Sequence, residues 1–303
     1  LKQIDGRAPV SIMTCNVKPD DPQLQTWIDE GLSIEAHTID HPCPLLAGER
    51  RGRSGASGEG PEARDSSSDI PPANGAAAPS LAPRPSPLSR AKGTYDRCID
   101  LLNQIPKNKP VAFRMPCCDS LNTVSPRFYS EIFNGATPGE NYLAISSSVF
   151  NVFTKDDPTI PPSKLLDADG NERFRRYIPK GLKRGGLDNS RFVNTIQNYP
   201  YPFVINKLCW EFPCAVPSDW EAQFLQQPNN PKTVEDMKMA LDLTVRKQGV
   251  FNLVFHPHGW IKSEQIVELI DHAVAKHGKR VKFLTFREAH DRLNKNLLAG
   301  NPL

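Results

Sequence analysis

"TVEDMKMALDLTVRKQGVFNLVFHPHG", residues 233–259, decides the fold class. Thr233 is a helix-capping type, the helix it opens runs to Gln248, and Gly249 stops it. "VFNLVF" is then a strand, and His256 stands directly past its end. The unit repeats: Ser263 caps a helix ending at Gly278, "VKFLTF" is a strand, and a last helix runs from Arg287. Strands alternating with helices mean an α/β fold with a largely parallel sheet, open or closed into a barrel. In such folds chemistry gathers at the carboxyl ends of the strands.

Toward the N-terminus the alternation continues. "PVSIMTC", residues 9–15, is a short buried strand, and a helix follows with Asp20 or Asp21 as its cap, Pro22 in its first turn and Gly31 beyond its end. "LSIEA" alternates as a strand. Further strands are "VAFRMP" and the region of "YLAISSSVF", with helices over 90–104 and around "SPRFYSEIF". Two segments stand apart. Residues 48–90 hold only Ile70, Leu81 and Leu88 as large apolar residues, too few to offset ordering entropy, so they form a disordered low-complexity insertion. Residues 154–200 are a loop-rich flap with Phe174, Tyr177 and Phe192 to bury. The folded domain is therefore 1–47 with 91–303.

The bulk numbers bound the function. The chain has 303 residues, 38% of them hydrophobic, with 29 prolines, nearly twice the usual share. A net charge of +3 without a basic stripe argues against nucleic-acid partners. No apolar run reaches the roughly 18 residues of a membrane span. The seven cysteines form neither a disulfide framework nor a zinc ribbon.

Candidate chemistry lies at the strand ends. His37 and His41, in "LSIEAHTIDHPCP", are four apart, but Pro42 disfavours a helical His41, so both belong to a loop just past a strand. Imidazoles so placed suit zinc, and two solvated loop histidines are the plainer alternative. Arg114 closes the "VAF" strand, Glu211 sits beside Trp210 in "LCWEFP", and His256 is crowded by Pro257, His258 and Trp260. Each has a bland counterpart: a surface salt bridge, a solvated carboxylate beside a packing aromatic, a satisfied loop histidine. Their convergence on one sheet edge is what marks a site. His272, His277 and His290 fall on helix surfaces and carry no such mark.

In order, "HTIDHP", "RMP", "ISSSVF", "CWEFP", "FHPHG" and "VKFLTFREA" resemble the NodB-homology polysaccharide deacetylases, carbohydrate esterase family 4, and in particular their peptidoglycan-deacetylase-like and allantoinase-like subgroup. The resemblance covers residues 8–46, 90–153 and 203–292. It implies a distorted (β/α) barrel with fewer than eight strands and a divalent metal, usually zinc, held by an aspartate and two histidines. By that likeness His37 and His41 are the two histidines, His256 protonates the leaving amine, and Arg114 orients a catalytic aspartate. Pro116 and Cys117 fall where the family has backbone donors and a groove wall, and Trp210, Glu211 and Trp260 join the substrate-binding set. The implied activity is metal-dependent hydrolysis of a non-peptide C–N bond, the removal of N-acetyl groups from an amino-sugar polysaccharide, in an extracellular or cell-envelope location.

One departure is plain. The family carries an Asp-Asp motif on its first strand, and nothing before Ala8 supplies it: Asp5 is single and sits in a turn. The expectation is a chain that begins after that strand, binds metal poorly and turns over slowly or not at all. Cys117 also replaces an aromatic residue of the family pattern. Two rivals follow: a catalytically inactive carbohydrate-binding or interaction module of the same fold, and a hydrolase of a small cyclic amide or ureide.

Overall fold

The computed structural model describes residues 4–42, 86–116, 128–133, 143–178, 183–184, 187–188, 195–224 and 226–300. In chain order these give β1 (Ser11–Thr14), α1 (Pro22–Asp29), β2 (Ser33–Ala36), α2 (Pro87–Asn103), β3 (Ala112–Phe113), a π-helical turn Phe128–Phe133, β4 (Ile145–Ser146) and β5 (Phe150–Val152). There follow α3 (Pro162–Leu165), β6 (Lys183–Arg184), β7 (Leu187–Asp188), β8 (Thr195–Gln197), β9 (Phe203–Ile205), β10 (Cys209–Glu211) and β11 (Cys214–Ala215). The last four elements are α4 (Asp219–Phe224), α5 (Pro231–Arg246), α6 (Ser263–His277) and α7 (Phe286–Leu298).

Strands run β1-β2-β3-β4-β10-β9 in one sheet, parallel except for the final β10/β9 pair. A second sheet, β11-β5-β8, is parallel throughout. The α/β class with parallel strands is therefore as the alternation implies. Among the described residues no helix is long and apolar enough to cross a membrane.

Local chemistry sets the helix starts. Asp21 caps α1, accepting from the Gln23 amide at 2.9 Å, with Pro22 in the first turn. Asn230, not Thr233, caps α5 by accepting from the Lys232 amide at 2.9 Å, with Pro231 next to it. The expected start was three residues late because Asn and Thr are both good caps and Thr233 is instead buried inside the first turn. At the other end α5 stops at Arg246, Gln248 turns left-handed (φ 57°), and Gly249 passes so close to Pro200 that an added Cβ would lie 2.3 Å from its carbonyl oxygen. Ser263 is the first residue of α6 rather than its cap, and α7 starts at Phe286 with a Thr285/Glu288 capping box. Helix α2 begins at Pro87, capped by Ser86, so 86–90 belong to the domain and not to the insertion; Leu88 packs on the core. Residues 48–85, Cys117 and Phe192 lie outside the described residues.

The main core is aromatic and sits between α2 and the first sheet. Tyr95, Phe113, Phe128 and Phe133 are fully buried, with Tyr95 and Phe113 edge to face at 5.1 Å between ring centres. In the flap Phe174 and Tyr177 are buried as expected, and the Tyr177 hydroxyl donates to Asp236 of α5 at 2.6 Å.

Two expected strands form no ladder. In "VFNLVF" Asn252 makes a single bridge to Cys214, and "VKFLTF" makes none. Among the described residues the amides of Phe251, Leu253, Phe255, Lys282, Phe283 and Leu284 have no acceptor. The physical reason is that these segments border a cleft of about 2600 Å³, opposite Ser11–Cys15, instead of a neighbouring strand.

Both faces of β2 are buried, which brings a carboxylate inside. Glu35 is wholly buried and accepts from the Val111 and Ala112 amides at 2.7 and 2.9 Å. Burial nevertheless raises its pKa from 4.5 to about 7, against the two amide bonds. The folded state therefore holds a proton there that the unfolded state gives up between about pH 4.5 and 7, and this group's contribution to stability falls as pH rises through that window. Glu35→Gln should flatten that loss. Denaturant midpoints at about pH 5 and about pH 7.5 should differ less for the variant, by on the order of 2 kcal/mol in unfolding free energy.

Candidate functional site

Adjacent parallel strands deliver the first two side chains. Ala36 of β2 pairs with Phe113 of β3, so His37 and Arg114 are the next residues along on neighbouring strands. The His37 ring donates from Nδ1 to the Arg114 carbonyl at 2.8 Å, and the Arg114 amide donates to the Ala36 carbonyl at 3.0 Å. This fixes the tautomer: the proton is on Nδ1 and the Nε2 lone pair is free. Burial pushes the pKa of His37 down to about 3, with the charges of His41, Arg114 and His256 acting in the same direction. The ring is neutral at ordinary pH.

His41 arrives through a strained loop. Thr38 and His41 both adopt left-handed backbone (φ 63° and 47°), which folds the loop back so that the two imidazole centres lie 4.8 Å apart, edge on. Thr94 of α2 anchors the turn: its hydroxyl accepts from the Ile39 and Asp40 amides, both at 3.2 Å, and its carbonyl accepts from the Ile39 amide at 3.1 Å. Asp40 is turned outward and paired with Arg97, which leaves it supporting the loop rather than facing the imidazoles.

Arg114 is buried, and its guanidinium is fixed on Ser147, with Nε to the carbonyl at 2.9 Å and Nη2 to the hydroxyl at 2.7 Å. Among the described residues it pairs with no carboxylate. Asn252 donates to the same Ser147 hydroxyl at 2.8 Å, tying the strand end of Arg114 to the segment that leads to His256.

His256 is held by a residue that the sequence reading missed. Asp219, wholly buried, accepts from the His256 amide at Oδ2 and from ring Nδ1 at 3.0 Å at Oδ1. That leaves the histidine's Nε2 to face the cleft. The local cause is the start of α4: Glu221 accepts from the Ser218 amide at 2.6 Å and from its hydroxyl, and that hydroxyl accepts from the Trp220 amide at 3.3 Å. The signal S-x-x-E was present in "SDWE", and it puts Asp219 at the first helical position. Beside His256 the Trp260 ring lies 4.8 Å away between centres, with His258 stacked at 5.8 Å.

His37, His41, Arg114, His256, His258, Trp220 and Trp260 border the one cleft. Other expected members do not. Glu211 is wholly buried and accepts from the Ser148 and Val149 amides at 2.7 and 2.9 Å, so it holds the break after β4 instead of a substrate. Trp210, on the opposite face of β10, packs with Ala112, Ile145, Phe212 and Leu293. Pro116 is buried without reaching the cleft, and Cys117 lies outside the described residues. A different set of histidines, His272 and His277, converges on Asp242, which periodicity alone does not reveal.

No protein-family model, curated protein or solved structure matches the chain.

The His37 geometry is checkable without any ligand. In metal-free protein, nitrogen-detected NMR should find the His37 ring in the Nδ1–H form and uncharged at about pH 5, where an ordinary histidine is protonated. A ring that titrates near 6.5 would contradict the burial and the bond to Arg114.

Proposed function

We propose that the chain is the catalytic part of a metal-dependent hydrolase of non-peptide C–N bonds, acting to remove N-acetyl groups from an amino-sugar polysaccharide. The observation that supports it is the meeting on one cleft of two imidazoles and a buried arginine, at the carboxyl ends of parallel β2 and β3, with an aspartate-backed histidine. Sequence resemblance alone points to a family; this constellation is what such chemistry requires.

His37 and His41 fit the implied zinc in their donor chemistry. Neutral imidazole with a free Nε2, oriented through Nδ1 by a backbone carbonyl, is the usual form of a ligating histidine, and His37 has it. His41 adds a second ring within reach, so the pair fits as two of three protein ligands. When bound, the ion supplies Lewis acidity for an amide carbonyl and for water.

The protein's own groups account for the rest. His256, fixed through Nδ1 by the buried Asp219 carboxylate, presents Nε2 as the donor of a proton to the departing amine. Arg114 brings a buried positive charge to the strand end, where it attracts and orients an incoming carboxylate that serves as base and third ligand. The ring faces of Trp260, His258 and Trp220 offer stacking surface to a sugar.

In this reading that carboxylate is carried by a further strand seated in the cleft. The slot lined by Ser11–Cys15, Phe251–Phe255 and Val281–Thr285, where among the described residues six amides have no acceptor, has the edge chemistry of a strand acceptor. Seating a strand there closes the sheet as a distorted (β/α) barrel. One observation favours a second reading, a carbohydrate-binding module without turnover: among the described residues no carboxylate stands with His37 and His41.

Two experiments test this. Calorimetric zinc titration of the chain, beside its His37→Ala/His41→Ala double variant, should show binding at this pair that the double variant loses; binding at the pair that survives both substitutions removes the metal assignment. Acetate release from N-acetylglucosamine oligomers should be lowered about 100-fold or more by His256→Ala in protein that carries the additional strand. Equal rates take His256 out of the mechanism. Oligomer binding without acetate release would establish the module.

A further inference from the structure

Away from the strand ends, α5 and α6 build a second convergence of ligand-type side chains. Asp242 stands one turn before the end of α5, and His272 and His277 lie in the last two turns of α6. Asp242 Oδ1 accepts from Nε2 of His272 at 2.9 Å and from Nε2 of His277 at 2.6 Å. Its Oδ2 accepts from Lys276 Nζ at 2.7 Å. The side chains of His277, Asp242 and His272 are 7%, 15% and 22% exposed, so the cluster is preformed at the edge of the protein and not a floppy surface array. Although burial opposes it, the bonds from Lys276, His272 and His277 hold the Asp242 carboxyl below its usual range, so it is anionic.

A simple ion-pair staple would account for Lys276. It does not call for two imidazoles aiming the same nitrogen at the same oxygen, with one atom from each residue inside a 4.8 Å circle. Two imidazoles and a carboxylate are the donor set of zinc and its neighbours. Atoms sharing such an ion through bonds of about 2.1 Å lie about 3.4 Å apart, so the Asp242–His272 and Asp242–His277 contacts, 2.9 and 2.6 Å, open by some tenths of an ångström while the two imidazole nitrogens, within 4.8 Å of each other, draw together. Binding moves each ring's proton from Nε2 to Nδ1, or releases it from a doubly protonated ring. On His277 the Nδ1 position faces Arg280 Nη2 at 3.5 Å, the longest contact of the cluster, and Arg280 is exposed and able to withdraw. Lys276, 53% exposed, can do the same.

We propose that Asp242, His272 and His277 form a divalent transition-metal site of the zinc type, separate from the His37/His41 pair, that clips α5 to α6. The placement gives the clip a consequence. The segment from Gly249 to Trp260, which carries His256, leaves α5 and enters α6, so a metal joining the two helices braces the element that positions that histidine. This inference stands on residues that the functional proposal does not use, and it holds or fails without it.

The test uses the full chain carrying His37→Ala/His41→Ala, titrated with zinc chloride by calorimetry and melted with and without zinc. One equivalent should bind and raise Tm; adding His272→Gln, which keeps a donor toward Asp242, should weaken binding at least tenfold. Adding Lys276→Met to the background instead should tighten binding by about tenfold, because it removes a like charge and frees Oδ2. A structural ion pair gives no such gain. Absence of zinc binding in the background protein, binding untouched by His272→Gln, or no tightening with Lys276→Met would each overturn the site.

Discussion

Two buried glutamates do what strand neighbours usually do, and the site rests on them. Glu35 accepts the amides of Val111 and Ala112 where β3 begins, and Glu211 accepts those of Ser148 and Val149 where the β4 strand breaks. Buried amides must be paired, and each unpaired one costs on the order of 1–3 kcal/mol. With these four satisfied, β3 can be two residues long and still end in a fixed place. Arg114 follows immediately, and Ser147, which receives its guanidinium, sits directly before the amides that Glu211 holds. Burial raises the pKa of Glu211, like that of Glu35, to about 7, so these carboxylates act as acceptors of hydrogen bonds more than as charges.

The same economy of charge runs through the site. His37 is kept neutral by burial and aimed by a backbone carbonyl, whereas His256 is aimed by the buried carboxylate of Asp219. Two histidines on one cleft are thus aimed by different partners, a carbonyl and a carboxylate. In the proposed reading the first offers a lone pair to a metal, and the second, its ring held through Nδ1, gives a proton to the leaving amine.

Much of this was legible in the sequence, because the local rules agree with the packing. Asp21 with Pro22, and the alternation in "LSIEA", placed α1 and β2. His37, His41, Arg114, His256 and Trp260 reached the cleft because each follows a strand or enters a loop at its carboxyl end. Errors came where two residues qualify for one task, as Asn230 and Thr233 do, or where a pairing spans sequence, as Asp219 and His256 do across 37 positions. Trp210 and Glu211 were misread for a different reason. Neighbours in a strand point to opposite faces, so one of "WE" had to turn away from any site, and here both serve packing or backbone. Asp242 joins His272 and His277 only because α5 lies against α6, which helical periodicity does not encode.

The cleft shows why reading and structure part at "VFNLVF" and "VKFLTF". Both segments have strand composition, and their inner residues Phe251, Leu253, Val281 and Phe283 pack toward α5 and α6 as strand residues would. Composition encodes the extended backbone and the buried face, but a ladder also needs a neighbour. Phe255 and Leu284 remain 42% and 37% exposed, and among the described residues their amides and those of Phe251, Leu253, Lys282 and Phe283 have no acceptor. Apolar side chains and unsatisfied amides facing the same gap call for an occupant that offers both hydrophobic surface and backbone carbonyls, and an extended strand does so. Laid parallel to β1, it would run toward the end of the β1/β2 ladder at Thr14 and Ala36, one residue before Cys15 and His37. In the proposed reading, completing the sheet and supplying the third ligand are therefore a single structural event.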